Sequence, residues 1–321
     1  MPDDGGDRYG EGVRYFSRDR LTFDLDDSAG PEAREVAPGD EVAVLLHGWP
    51  QDRRAWRAIT PALVADGLRV LAPDLRGYSP GARPPRPSDY EIGESVGDVI
   101  ALADEIGAER VHVVGHDWGG ALAWVVASRH PERVASLTVI STPHPAAMAW
   151  AFKHGDQARR SAYMAFFALP TLPAAVMRRA TKRLLLRTGL PVDDAEMYAE
   201  RMARPGAAQA SLNWYRAALP LRRMVEERLG RKGTSSPRPD RRPKDAGSIV
   251  PTTYVWGRQD PALGRDAAER TGVVMGRAAE QAGLDPDAVY RFVELAGGHW
   301  LPETRPAEVA SAILDRVRSV G

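Results

Sequence analysis

Val111-His-Val-Val-Gly-His-Asp-Trp-Gly-Gly120 is the stretch that decides the fold. Val111 to Val114 has the β-branched character of a short buried strand, and the helix-like run Gly119 to Arg129 begins almost at once. Upstream, the helix-like Glu91 to Ile106 precedes it, and Arg69-Val-Leu-Ala72 is a short strand following another helical stretch. Further upstream, Glu41-Val-Ala-Val-Leu-Leu46 is a nearly continuous apolar run that ends abruptly at His47-Gly-Trp-Pro50. Such runs mark strands buried on both faces. Downstream, Val134 to Ile140 is a further strand. Strands alternating with helices imply βαβ crossovers and a parallel sheet, so the fold class is α/β. Ahead of this region, Val13-Arg-Tyr-Phe16 and Leu21-Thr-Phe-Asp-Leu25 alternate as a half-buried antiparallel pair would.

The rhythm breaks around Ser141 to Pro145. From Ala146 to about Arg231 the pattern is helical throughout, and 231–247 is a polar Pro/Arg-rich segment that cannot form a packed core. The latter reads as a solvated, mobile loop. Strand-like Ile249 to Trp256 restarts the α/β pattern, followed by a helical stretch, Val289 to Glu294, and a C-terminal helix from about Pro306. One α/β domain is thus interrupted by a helical insertion, with expected divisions at 1–144, 145–247 and 248–321.

Composition excludes several classes of function. Lys plus Arg and Asp plus Glu both number 43 in the 321 residues, a balance without the basic surplus of a nucleic-acid binder. It also gives no drive toward an anionic membrane surface. With no cysteine, disulfides, thiolate metal sites, Fe–S clusters and cysteine nucleophiles are excluded together. Met1 to Gly12 is acidic and Gly-rich, without the apolar core of a signal peptide. No stretch approaches the roughly 20 apolar residues of a membrane-spanning helix. The expectation is a soluble cytoplasmic globular protein.

The sharpest chemical signal is Gly115-His-Asp-Trp-Gly-Gly120 between strand and helix. In G-x-S-x-G hydrolases such an elbow projects a nucleophile from a tight turn. Here the central residue is Asp117, whose carboxylate is ionised at neutral pH and needs no base to attack a saturated carbon bearing a leaving group. The competing reading is a helix N-cap, a position that Asp suits well. His47-Gly-Trp-Pro50 would supply one oxyanion-hole N–H from Trp49, and the residue after the nucleophile, Trp118, the other. A functionless strand-end turn is the competitor there. Val255-Trp-Gly-Arg-Gln-Asp260 ends one strand, and Gly297-Gly-His-Trp300 is read as following another. The order Asp117, Asp260, His299 is the nucleophile, acid, histidine order of this elbow architecture. His299 would deprotonate a water while Asp260 holds the imidazole. A lone loop histidine is otherwise a polar surface residue. His47 and His116 are read as local hydrogen-bonding groups, and neither has metal-ligand spacing with a second histidine.

His47-Gly-Trp-Pro50, Gly115-His-Asp-Trp-Gly-Gly120 and Gly298-His-Trp300 together make the chain, from about Tyr9 to its end, resemble the soluble-type epoxide hydrolases of the α/β-hydrolase fold. The resemblance implies a mostly parallel central sheet flanked by helices, with the helical insertion acting as a cap domain. It implies two cap tyrosines that bind and protonate an epoxide oxygen. Tyr215 in Asn213-Trp-Tyr-Arg216 and Tyr163 in Ser161-Ala-Tyr-Met-Ala-Phe-Phe-Ala-Leu-Pro170 match those motifs, while Tyr198 fits neither. A single tyrosine is more commonly a core residue at helical spacing, but two matches in the expected order outweigh that. The implied reaction opens an epoxide to a vicinal diol through an ester on Asp117, with no cofactor and no metal. The expected partners are a small apolar epoxide and water, not nucleic acid or membrane, with a homodimer as the one assembly considered. A haloalkane or haloacid dehalogenase would share the same Asp–His–Asp set, and a non-catalytic binding protein could share the scaffold. Trp49 stands where many haloalkane dehalogenases carry an asparagine, which counts against dehalogenation. Departures from the epoxide hydrolase pattern are Asp74-Leu-Arg-Gly-Tyr-Ser-Pro-Gly81, a bulkier and stiffer loop, and the unmatched second half of the insertion. Pro143-His-Pro145 resembles the family's hinge and is read as structural.

Overall fold

In a computed structural model that describes residues 13–30, 32–33, 35–37, 39–219 and 249–320, the alternation of the sequence becomes one eight-stranded sheet. Its strands are β1 (Val13–Arg18), β2 (Leu21–Asp27), β3 (Val42–Leu46), β4 (Arg69–Pro73), β5 (Val111–His116), β6 (Val134–Ile140), β7 (Thr252–Gly257) and β8 (Tyr290–Leu295). The order across the sheet is β1-β2-β4-β3-β5-β6-β7-β8. β1 pairs antiparallel with β2 and β2 with β4, while every pairing from β4 to β8 is parallel.

The helices are α1 (Thr60–Ala65), α2 (Ile92–Glu105), α3 (Trp118–Arg129), α4 (Pro145–His154), α5 (Gln157–Arg160), α6 (Tyr163–Phe167), α7 (Leu172–Arg187), α8 (Val192–Ala203), α9 (Ala207–Ser211) and α10 (Asn213–Ala218), then α11 (Arg265–Gln281), α12 (Pro286–Val289), α13 (Leu301–Thr304) and α14 (Pro306–Arg318). Between β6 and β7 the described chain is helical, from α4 to α10. Met1 to Gly12, the helical pattern beyond residue 219 and the Pro/Arg-rich segment 231–247 lie outside the described residues.

Every residue of β3, β4, β5 and β7 is buried, because helices cover both faces of the sheet. Side chains alternate across a strand, so Val44 and Leu46 enter one core with Val96, Val99, Leu122 and Val126 of α2 and α3. Ala43 and Leu45 enter the other, with Ile59, Leu63 of α1 and Val309, Ile313 of α14.

One expectation is corrected. Of the stretch Val289 to Glu294 only Val289, the last residue of α12, is helical; Tyr290 onward is β8, the strand ahead of Gly297, and the long helix after β7 is α11. Tyr-Arg-Phe-Val-Glu-Leu is broken by Arg291 and Glu294 rather than running continuously apolar and is only half-buried, as suits an edge strand that among the described residues pairs with β7 alone. The carboxyl ends of β3, β5, β6, β7 and β8 lie side by side in parallel register, so the segments that follow them converge.

Candidate active site

Asp117 follows β5 at φ 51° and ψ −118°, a left-handed conformation that costs a non-glycine residue strain. Its carbonyl accepts from Thr142 Oγ1 at 2.7 Å and from the Ala121 N–H at 3.0 Å, which ties the turn to β6 and to α3. The turn is tight enough to dictate glycine beside it. A Cβ on Gly119 would lie 2.0 Å from the Leu46 carbonyl oxygen, and one on Gly48 would lie 2.4 Å from the Asp117 Cβ.

Asp117 occupies the N-cap of α3 but makes no side-chain capping bond. Its Oδ1 instead accepts the Trp49 N–H at 2.8 Å, and His299 Nε2 stands 3.5 Å from Oδ2. Trp118, as the first residue of α3, has an N–H without an intrahelical acceptor. His299 Nδ1 lies 2.8 Å from Asp260 Oδ2, and the other Asp260 oxygen accepts the N–H groups of Ala262 at 2.8 Å and Leu263 at 3.0 Å. His299 is 6% exposed, so it is not a polar surface histidine.

Electrostatics follow from this arrangement. Burial alone would lower the His299 pKa, but the Asp260 carboxylate, with Asp117 on the other nitrogen, raises it to about 10. Burial likewise opposes ionisation of Asp117, yet His299 and the Trp49 N–H hold it below the usual carboxylate range. The resting pair is therefore carboxylate and imidazolium at neutral pH.

The helical insertion contributes aromatic rings above this set. Tyr215 of α10 meets Trp118 edge-on at 5.1 Å, Trp49 at 5.8 Å, Phe167 at 5.1 Å and Tyr163 at 6.2 Å between centroids. Tyr163 is 40% exposed as a residue, but desolvation by its neighbours, and then the Asp117 charge, raise its phenol's pKa. Burial raises that of Tyr215 too, with Tyr163 and Asp117 adding to it. Both phenols thus stay protonated near neutral pH and sense the Asp117 carboxylate. Tyr198 of α8 is directed elsewhere: its hydroxyl donates to Glu303 Oε1 at 2.8 Å.

His47 and His116 are local, as their sequence context suggests. His47 Nε2 accepts the Leu75 N–H at 3.0 Å, so its proton sits on Nδ1, 2.9 Å from the Gly48 carbonyl. Burial keeps that ring neutral. His116 Nδ1 lies 2.8 Å from Gln51 Oε1 and Nε2 lies 2.9 Å from the His299 carbonyl oxygen. Sequence reasoning overlooked Gln51, Thr142 and Glu303. Gln51 directly follows the His47-Gly-Trp-Pro50 motif and Glu303 follows His299 by four residues, but only nearness to a motif marked them.

A sheet of this order, an elbow at the end of β5 and an acid–histidine pair after β7 and β8 define an α/β hydrolase. The chain belongs to that family: the model of the alpha/beta hydrolase fold matches residues 42–306. It is a hydrolase. The AB hydrolase superfamily protein YfhM of Bacillus subtilis is 33% identical over 89% of this chain and 92% of its own length. Epoxide hydrolase A of Mycobacterium tuberculosis is 30% identical over 91% of this chain and 95% of its own. Among solved structures, one of novel epoxide hydrolases of the superfamily from metagenomes of hot environments superposes with a TM-score of 0.72 at 25% identity, over 95% of this chain and 98% of that one. Among the described residues no helix is long and apolar enough to cross a membrane.

Proposed function

We propose that the protein is a cytoplasmic epoxide hydrolase acting on small apolar epoxides. In this reading Asp117 is the nucleophile, His299 the base, Asp260 its orienting acid, Tyr163 and Tyr215 the proton donors, and the Trp49 and Trp118 N–H groups the oxyanion hole. The core would comprise 1–144 and 248–321, with 145–247 as a cap over the site. Neither nucleic acid nor membrane has a role, and a homodimer is the candidate assembly.

The observation that carries the reading is that Tyr215 packs edge-on against Trp118 and Trp49, the two residues that adjoin Asp117 in the site, with Tyr163 beside it. Both protonated phenols are near enough to the ionised Asp117 to feel its charge. A strained ether ring needs both: a nucleophile for carbon, and a proton for the departing oxygen. Asp117 attacks one ring carbon, the C–O bond breaks, and a tyrosine protonates the alkoxide. The ester no longer carries a negative charge. His299 then loses the carboxylate that helped raise its pKa, gives its proton back to the tyrosinate, and becomes a neutral base. It deprotonates a water that attacks the Asp117 carbonyl carbon. The Trp49 and Trp118 N–H groups stabilise the oxyanion by about 3 kcal/mol each. Collapse expels the diol alkoxide, which takes the acid proton of Asp117 and leaves carboxylate and imidazolium as at the start. The balance is epoxide plus water to vicinal diol, with no cofactor in any step.

The His299→Gln variant tests the sequence of events. Incubated with styrene oxide, it is expected to gain the mass of the whole epoxide on the peptide containing Asp117. An alkyl adduct from a bromoalkane alone would move the assignment to dehalogenation. Absence of any adduct, with no turnover by the wild type across a wider epoxide panel, would end the proposal.

A further inference from the structure

Glu303 of α13 is a half-buried acid that the reaction above does not use. Its Oε1 accepts from Gln51 Nε2 at 2.7 Å and from the Tyr198 hydroxyl at 2.8 Å. Its Oε2 is buried without a partner. An ionised carboxylate would leave a buried charge half-compensated, so the acid form is the cheaper one. Burial raises its pKa to about 7 in keeping with that, and Asp194 of α8 pushes the same way.

What Glu303 holds is more telling than its charge. Gln51 presents its amide N–H to Glu303, which turns its carbonyl toward the Gly48 N–H at 2.9 Å and toward His116 at 2.8 Å. Gly48 precedes Trp49, whose N–H meets Asp117, and His116 precedes Asp117 and touches the His299 carbonyl. One bridge therefore runs from α8 of the insertion, through Glu303 and Gln51, to both arms of the active site.

We propose that Glu303 is a positioning residue for ester hydrolysis, holding through Gln51 the Gly48–Trp49 arm that carries one oxyanion donor. The proposal rests on the epoxide hydrolase reading. Ester formation needs the Asp117 carboxylate free to move toward carbon, whereas hydrolysis needs the Trp49 N–H held where negative charge develops. Loosening the arm should therefore slow the second step alone.

Rapid-quench mass spectrometry on the full chain with styrene oxide reads the two rates separately. Glu303→Leu is expected to slow ester hydrolysis about 10-fold while ester formation stays within about 2-fold. Where hydrolysis limits turnover, kcat and KM should then fall together. Glu303→Gln, which can still accept both hydrogen bonds, should restore hydrolysis. Gln51→Met cuts the bridge at its other end and should reproduce the defect even if Glu303→Leu does not fold. Equal slowing of both steps, unchanged hydrolysis in the folded Leu and Met variants, or failure of the Gln variant to restore it would overturn the proposal. If the wild type forms no ester with any epoxide, the functional reading itself fails, an outcome distinct from the others.

Discussion

At the scale of single residues, His299 lies between two carboxylates, and in the proposed cycle one of them loses its charge halfway through. Its pKa of about 10 should therefore depend on Asp117 as well as Asp260. In Asp117→Asn, nitrogen-detected NMR titration is expected to place it clearly below that of the wild type, nearer the ordinary histidine value of about 6.5. An unchanged titration would mean that Asp260 alone sets the proton. The sign for stability follows. A raised pKa contributes stability that is complete below the unfolded value and is lost as pH rises through about 10. The phenols make a separate prediction. Tyr163→Phe and Tyr215→Phe should each lower the rate of ester formation by roughly 10²-fold, the usual worth of a positioned acid, and leave hydrolysis of a preformed ester nearly unchanged. Loss of the second step instead would place the phenols in a different role. That the Asp117 side chain does not cap α3 is decided by where its oxygens point. Local sequence cannot carry that information, because the partners Trp49 and His299 are distant along the chain.

At the scale of elements, the elbow between β5 and α3 works only because backbone meets backbone there. Gly119→Ala would drive a methyl carbon to 2.0 Å from the Leu46 carbonyl oxygen, an atom that cannot swing away. The expected cost is about 3 kcal/mol, the upper range for overpacking, measured as a lower urea midpoint. A variant as stable as the wild type would show that β3 and α3 can separate without loss. The elbow was legible in sequence because strand, glycines and helix are contiguous. β8 was not, because an edge strand lacks the continuous apolar run that marked β3 and β5.

At the scale of the whole molecule, the helical insertion is fastened to the sheet by ion pairs as well as by rings. Arg201 of α8 is buried against Asp74, after β4, and Asp52, after β3. Arg57 reaches back from the core to Asp194 of α8. Burial would raise the Asp52 and Asp74 pKa values, but Arg201 and their other cationic neighbours hold both below the usual carboxylate range. Their contribution to stability is therefore present above about pH 4 and fades as pH falls toward the folded values. Arg201→Met is expected to cost about 3 kcal/mol and to start acid unfolding at a higher pH, read by circular dichroism against pH. An acid limb identical to the wild type would show that this pair does not fasten α8. The α/β alternation, the glycine-flanked Asp117 and the chain order Asp117, Asp260, His299 were determined by sequence alone, since periodicity and motif spacing reside in neighbouring residues. Tertiary structure alone turned the Tyr198 hydroxyl onto Glu303, gave His299 its imidazolium, and set Glu303 behind Gln51. Those outcomes depend on burial and on contacts between residues far apart in the chain, which exist only once the helices have packed over the carboxyl ends of the strands.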